Sequence, residues 1–141
     1  MVYENNFLEN SYFMSSIAPQ LTILRDGVLH FMPRAHIINF AQAYPSAIVL
    51  QNQVNNEYNY SFLEWMYLGF PVIHNVSRFK EFGYYYEGHN FQAAADLITH
   101  IVEHHDKNIE CYRAQARQLT WRFSPYNPEN MVGWLKLLLE K

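Results

Sequence analysis

The chain has 141 residues, half of them hydrophobic and 16% charged, with a formal net charge of −3. This length and apolar content suit one domain with a real core and exclude a disordered chain. The acidic balance argues against a broad nucleic-acid surface, and no apolar run is long enough to cross a bilayer.

The N-terminus, Met1-Val2-Tyr3-Glu4-Asn5-Asn6, lacks the basic start and apolar stretch of a signal peptide. The single cysteine, Cys111, leaves no internal disulfide and fits a reducing, cytoplasmic compartment. Phe7, Leu8, Tyr12, Phe13 and Ile17 have helical spacing over residues 5–17. Ala18-Pro19 ends that element, so residues 1–19 read as a helical segment ahead of a domain over 20–141. Leu21-Thr22-Ile23-Leu24 reads as a strand and Asp26-Gly27 as a turn; Val28-Leu29-His30-Phe31 is a second strand or its continuation. Pro33 opens a helix over 33–42, and Tyr44-Pro45 breaks it.

Ala47-Ile48-Val49-Leu50 is a buried-strand candidate, followed by the polar loop 51–57. A short helix follows over 59–68. Asn59 suits its N-cap, Gly69 its left-handed end, and Pro71 blocks its continuation. Pro71-Val72-Ile73-His74 is a second apolar run, suited to a strand buried on both faces. A polar stretch, 75–82, leads to a short strand at Gly83-Tyr84-Tyr85-Tyr86-Glu87. Three helices finish the chain, striped by Phe91, Ala94, Ile98 and Ile101, by Ile109, Tyr112, Ala116, Leu119 and Phe123, and by Met131, Trp134, Leu135 and Leu138. The last opens with Asn127-Pro128-Glu129, a cap, a proline at the first helical position and an acid on the dipole; its stripe is expected to be buried.

Strand, helix, strand, helix, strand argues for a parallel sheet covered by helices, an α/β Rossmann-like fold. The runs at 47–50 and 71–74 should be adjacent parallel strands. Ligands of such sheets bind at the carboxyl ends of the strands. The loops after 47–50 and 71–74 therefore converge there, and they bring Asn56, Glu57, Asn59, Tyr60, Ser61, His74 and Asn75 together. Free N–H groups at the start of helix 59–68 suit phosphate. Glu64 lies three after Ser61 and four after Tyr60, so the three can share a face. Its carboxylate reads either as solvated or as an acceptor for ribose hydroxyls. Asn59, Tyr60 and Ser61 read equally as cap residues.

Glu64 with Leu68-Gly69-Phe70-Pro71-Val72-Ile73 resembles the donor-binding helix in the C-terminal domain of GT-B glycosyltransferases, where a glutamate precedes a Gly-x-Pro-Val run. His74-Asn75 and Gly83-Tyr84-Tyr85-Tyr86 extend the resemblance to a group of glycosyltransferase-like proteins with these motifs in this order. It covers roughly residues 20–141, a span consistent with one domain. The family's first acidic position falls on Asn56, beside Glu57, and its basic diphosphate pair has no match.

The resemblance implies the donor-binding half of a glycosyltransferase that moves a sugar from a nucleoside diphosphate sugar to an acceptor hydroxyl. Glu64 would hold ribose, and the 59–61 helix start diphosphate. Asn56, Glu57, His74 and Asn75 would face the sugar. The donor is substrate, with no cofactor. A GT-B enzyme needs a second, N-terminal domain as partner. A non-catalytic nucleotide-sugar-binding module and a pure interaction module are the alternatives.

Three further features have plainer readings. His100 and His104 stand one turn apart, a workable metal spacing, but no third ligand is evident and a solvated helix end is preferred. Cys111 reads as a buried, inert thiol. The aromatic content of 17% reads first as core packing and second as stacking surface for sugars or bases. The Tyr84–Tyr86 run could serve either purpose.

Overall fold

The computed structural model describes residues 9–32 and 35–139. They fall into two compact units that divide after Ala43. The boundary expected from sequence lies earlier, at 19/20.

The first unit is helical among its described residues. A π-helical turn, Phe13–Ile17, runs into a 3-10 turn, Ala18–Gln20. Helix α1 spans Thr22–Arg25 and α2 spans Ile37–Ala43. The strand expected at 21–24 is thus a helix, because a four-residue apolar run has no periodicity to separate the two states. Leu21 is extended and caps α1, and Gly27 turns the chain at φ +70°. The amides of Val28 and Leu29 then both donate to the Ile23 carbonyl, at 2.9 and 2.8 Å. Those bonds fold 28–29 back on α1, and 28–31 forms no strand. Residues 5–8 and 33–34 of the two expected helices lie outside the described residues.

The second unit carries the sheet. Strands β1 (Val49–Gln51), β2 (Val72–His74) and β3 (Tyr84–Tyr85) are all parallel, in the order β1-β2-β3. Val49 aligns with Val72, Gln51 with His74, and His74 with Tyr85. Helix α3 (Tyr60–Tyr67) connects β1 to β2, as expected for adjacent parallel strands. Helices α4 (Phe91–His104), α5 (Ile109–Arg122) and α6 (Pro128–Leu139) follow. This is a mixed α/β unit with a small three-stranded parallel sheet.

Alternation along β2 decides what covers each face. Ile73 packs with Tyr86 and with Ala94 and Ile101 of α4. The His74 ring, on the other face, lies 4.5 Å from that of Phe62 in α3. Phe62 stacks on Phe79 at 5.3 Å, and Phe79 meets Phe123 edge-on. Phe62 and Phe79 are core, as burial energetics favour, but other aromatic residues, Tyr58, Tyr60, Tyr67, Phe91 and Trp121 among them, are exposed.

Tyr112 of α5 ties the helices to the start of β2. Its hydroxyl accepts the Val72 amide at 3.0 Å and donates to the Phe70 carbonyl at 2.6 Å, with Met66 Sδ 2.9 Å away. Gly69 permits the approach: at φ +82° it ends α3 and turns the chain into β2.

Helix α6 departs from expectation. It has the predicted Asn127 cap, whose Oδ1 accepts the Glu129 amide at 3.1 Å. Its stripe, however, is not buried: Met131, Trp134, Leu135 and Leu138 are 49–67% exposed. Periodicity records an apolar face but not whether anything covers it. No helix among the described residues is long and apolar enough to cross a membrane.

Tyr112→Phe strands a buried amide and a carbonyl and should cost about 1–3 kcal/mol of unfolding free energy. Trp134→Ala, on the exposed stripe, should stay within about 0.5 kcal/mol of the parent. Urea denaturation of both variants checks the contrast; equal losses would contradict this account of the core.

Candidate functional site

Helix α3 begins at the carboxyl edge of the sheet because β1 ends there at Gln51. Asn59 is extended, at φ −70° and ψ 108°, and caps the helix. Its Oδ1 accepts the Ser61 amide at 2.9 Å and the Ser61 hydroxyl at 2.7 Å. Gln51 Nε2 in turn donates to Ser61 Oγ at 2.8 Å. The cap is thereby fixed to the last residue of β1. Gln51 Oε1 is buried with no partner among the described residues.

The loop between β1 and α3 is exposed. Asn56, Glu57, Tyr58 and Tyr60 all face solvent, Tyr60 at 77%. Asn55, at φ +54°, adopts the left-handed conformation that asparagine tolerates better than most residues. Arg78, from the 3-10 turn Ser77–Phe79 after β2, lies over the Tyr58 ring at 4.8 Å. The two strand-end loops thus meet, and a guanidinium stands where they do. Glu64 is exposed one turn farther along α3.

His74 and Asn75 stand at the end of β2 but serve the loops. The His74 ring is fully buried. Its Nδ1 accepts the Val76 amide at 3.2 Å, so its proton sits on Nε2, which donates to the Phe82 carbonyl at 2.7 Å. Both nitrogens are used, and burial holds the pKa below the ordinary 6.5 despite the Phe82 bond. Gly83 crosses this ring closely. A Cβ there would lie 3.0 Å from the Val72 carbonyl and 3.4 Å from the imidazole, and its φ is +64°.

Asn75 fastens three segments. Its Oδ1 accepts the Gln53 amide at 2.7 Å, and its Nδ2 lies 3.0 Å from each of Asn52 Oδ1, the Gln53 carbonyl and the Gly88 carbonyl. Tyr86 adds a hydroxyl bond to Asn52 Oδ1 at 3.0 Å.

The sequence candidates therefore divide. Asn59 and Ser61 join one network with Gln51; Asn75 joins a second, with Asn52 and Gln53. Asn56, Glu57, Tyr60 and Glu64 are open to solvent. His74 has no edge open to solvent, because both its ring nitrogens are bonded inside the protein. Sequence reasoning missed Arg78, although it lies in the polar stretch just after β2, which the topology brings to this edge. The tyrosine run also faces inward in part: Tyr86 is buried, and Tyr84 stacks on Tyr112 at 5.6 Å.

The other motifs resolve differently. His100 and His104 stack at 4.7 Å, and His104 Nδ1 lies 3.1 Å from the His100 carbonyl. Among the described residues no three His, Cys, Asp or Glu side chains group around a common point. Cys111 is exposed, not buried as expected, since it lies off the Tyr112-Ala116-Leu119 stripe of α5.

Residues 1–138 match the family described as a protein of unknown function, DUF2827, and the chain belongs to that family. No curated protein and no solved structure matches it.

Burial lowers the pKa of both His74 and His105. The unfolded chain therefore takes up protons that the folded chain refuses, and stability rises with pH through that range. Unfolding free energy should fall as pH drops below about 6.5. His74→Gln should be less stable at neutral pH but lose less on acidification. Urea denaturation across a pH series reads both slopes, and parallel slopes would remove His74 from the effect.

Proposed function

We propose that this DUF2827 chain is the donor-binding half of a GT-B-type glycosyltransferase, with a Rossmann-like second unit that takes a nucleoside diphosphate sugar at the carboxyl edge of its sheet. One observation carries the reading: α3 starts between two parallel strands at that edge, and Arg78 from the neighbouring loop stands over Tyr58 beside it. Parallel sheets bind ligands at this position. The helix start favours negative charge through its dipole and amides, and a guanidinium is the side chain best shaped for phosphate oxygens.

The roles follow from chemistry and exposure. The start of α3 and Arg78 would hold the diphosphate. Glu64 would accept from ribose hydroxyls, being charged, exposed and one turn from the helix start. Asn56, Glu57 and Tyr60 would face the sugar. Asn59, Ser61 and Asn75 would act by holding the loops, since their side chains are already bonded within the protein. His74 would be a positioning residue behind them.

Binding without turnover is the second reading. It is favoured by the enclosed state of His74, which leaves the histidine that ends β2 unable to serve as a base. Sugar transfer needs an acceptor about 3–3.5 Å from the donor carbon. A second domain would supply that wall and exclude water.

Isothermal titration with a panel of nucleoside diphosphates and their sugar conjugates tests the proposal. At least one should bind, and Glu64→Ala should weaken it by about 1.5–3 kcal/mol, the range of a charge-assisted hydrogen bond. Arg78→Ala should weaken the diphosphate and leave the free nucleoside unaffected. The chain alone should consume donor poorly, and an added N-terminal partner domain should restore transfer. Absence of binding across the panel would leave the interaction-module alternative.

A further inference from the structure

The opposite, amino edge of the same sheet holds a cavity of about 510 Å³. Its walls include Pro45 and Ser46 ahead of β1, Leu68 and Gly69 ahead of β2, and His105, Asp106, Ile109 and Arg113 at the turn from α4 to α5. A second cavity of about 290 Å³ shares Leu68, Gly69 and Arg113 and adds Arg117 and Thr120. The first is within the size range of small-molecule sites. No role proposed above uses it.

His105 is the group that asks for an explanation. Only 8% of it is exposed, yet it lines this cavity. Its Nδ1 lies 2.9 Å from the Tyr84 hydroxyl. Burial raises the Tyr84 pKa, so the hydroxyl stays protonated, able to donate to Nδ1 or to accept from it. With Tyr84 donating, the neutral imidazole carries its hydrogen on Nε2, a donor with no protein acceptor among the described residues. Tyr112 holds the ring in place, edge-on at 4.8 Å.

Arg113 also lines this cavity. One nitrogen, Nη1, pairs with Glu110 at 2.8 Å, and both partners are more than half exposed. An exposed pair of this kind is weak, and a guanidinium has further N–H donors to offer. Gly69 adds room, with nothing within 4 Å of where a Cβ would lie. Asp106 lines the cavity beside these donors. It repels a bare anion but accepts from a hydroxyl or amine.

We propose that this amino-edge cavity is a ligand site for a small polar molecule whose anionic group, carboxylate or phosphate, is held between Arg113 and His105 Nε2–H, with a hydroxyl or amine of the ligand toward Asp106. The site is independent of the nucleotide reading at the opposite edge, and either can stand without the other.

The test is titration of the full chain with inorganic phosphate and with acetate at constant ionic strength and neutral pH, followed by amide and imidazole NMR. Either anion should give saturable shifts at Gly69, Asp106, Ile109 and the His105 ring, and the tighter of the two identifies the group the site prefers. Arg113→Ala should lower affinity by about tenfold or more, the loss of a charge-assisted contact. His105→Phe should also lower it, and Arg25→Ala, in the other unit, should not. Unchanged thermal midpoints for the Arg113 and Arg25 variants establish that folding is intact. Shifts that never saturate, or that spread evenly over the basic residues, would overturn the proposal. So would affinity unchanged by Arg113→Ala.

Discussion

Strand β2 is buried completely: Val72, Ile73 and His74 expose nothing to solvent, and His74 brings a polar ring inside with it. Every donor and acceptor carried into that interior needs a protein partner, since leaving one unmade costs about 1–3 kcal/mol. The surrounding structure supplies them in sequence. Tyr112 of α5 reaches across to the Val72 amide and the Phe70 carbonyl at the beginning of the strand. The His74 ring takes the Val76 amide and gives to the Phe82 carbonyl at its end. Asn75, the next residue, binds the loops that leave β1 and β3. A three-residue strand thereby fixes the relative positions of α3, α5 and both loops at its carboxyl end.

That constraint sets what each edge of the sheet can do. At the carboxyl edge Gln51, Asn59 and Ser61 are bonded together and Asn75 is bonded to Asn52, Gln53 and Gly88, while Asn56, Glu57, Tyr60, Glu64 and Arg78 remain outside on a held framework. A rigid base with exposed charged and polar groups is the arrangement expected of a binding edge. At the amino edge the same logic runs through Tyr84, bonded to His105 Nδ1, and Tyr112, edge-on to its ring, which hold His105 at a cavity wall. The His74-Asn75 and Gly83–Tyr86 motifs, which invite a ligand reading, are mainly the parts that hold these edges in place. Gly83 is needed where it is because the His74 ring and the Val72 carbonyl leave no room for a side chain.

Much of the second unit is legible from sequence because its signals are strong and local. Asn59 and Gly69 bracket α3 as cap and left-handed stop, and Pro71 after them leaves the apolar run before His74 to form the buried strand. The parallel pairing of β1 and β2 follows from the helix between them. The failures have physical causes of equal clarity. Residues 21–24 are too short for periodicity to distinguish helix from strand, and a pair of amides bonding back to Ile23 settles it. The α6 stripe is correctly apolar but uncovered, since pattern gives a face and not its partner. His74 is polar by type and buried by context; its two acceptor and donor partners lie two and eight residues away, in loops whose path no local signal gives. Arg78 has no motif at all and gains its place only from the fold.

The central claim is that the carboxyl edge around α3 is where this chain meets a nucleotide. Amide NMR of the full chain with uridine diphosphate tests it most directly, with other nucleoside diphosphates run in parallel. The account predicts saturable shifts concentrated at residues 56–64 and at Arg78 for at least one of them. His74 should stay spectroscopically neutral throughout. Shifts confined to the amino edge at Gly69 and Arg113, or no saturable shift with any nucleotide, would contradict it.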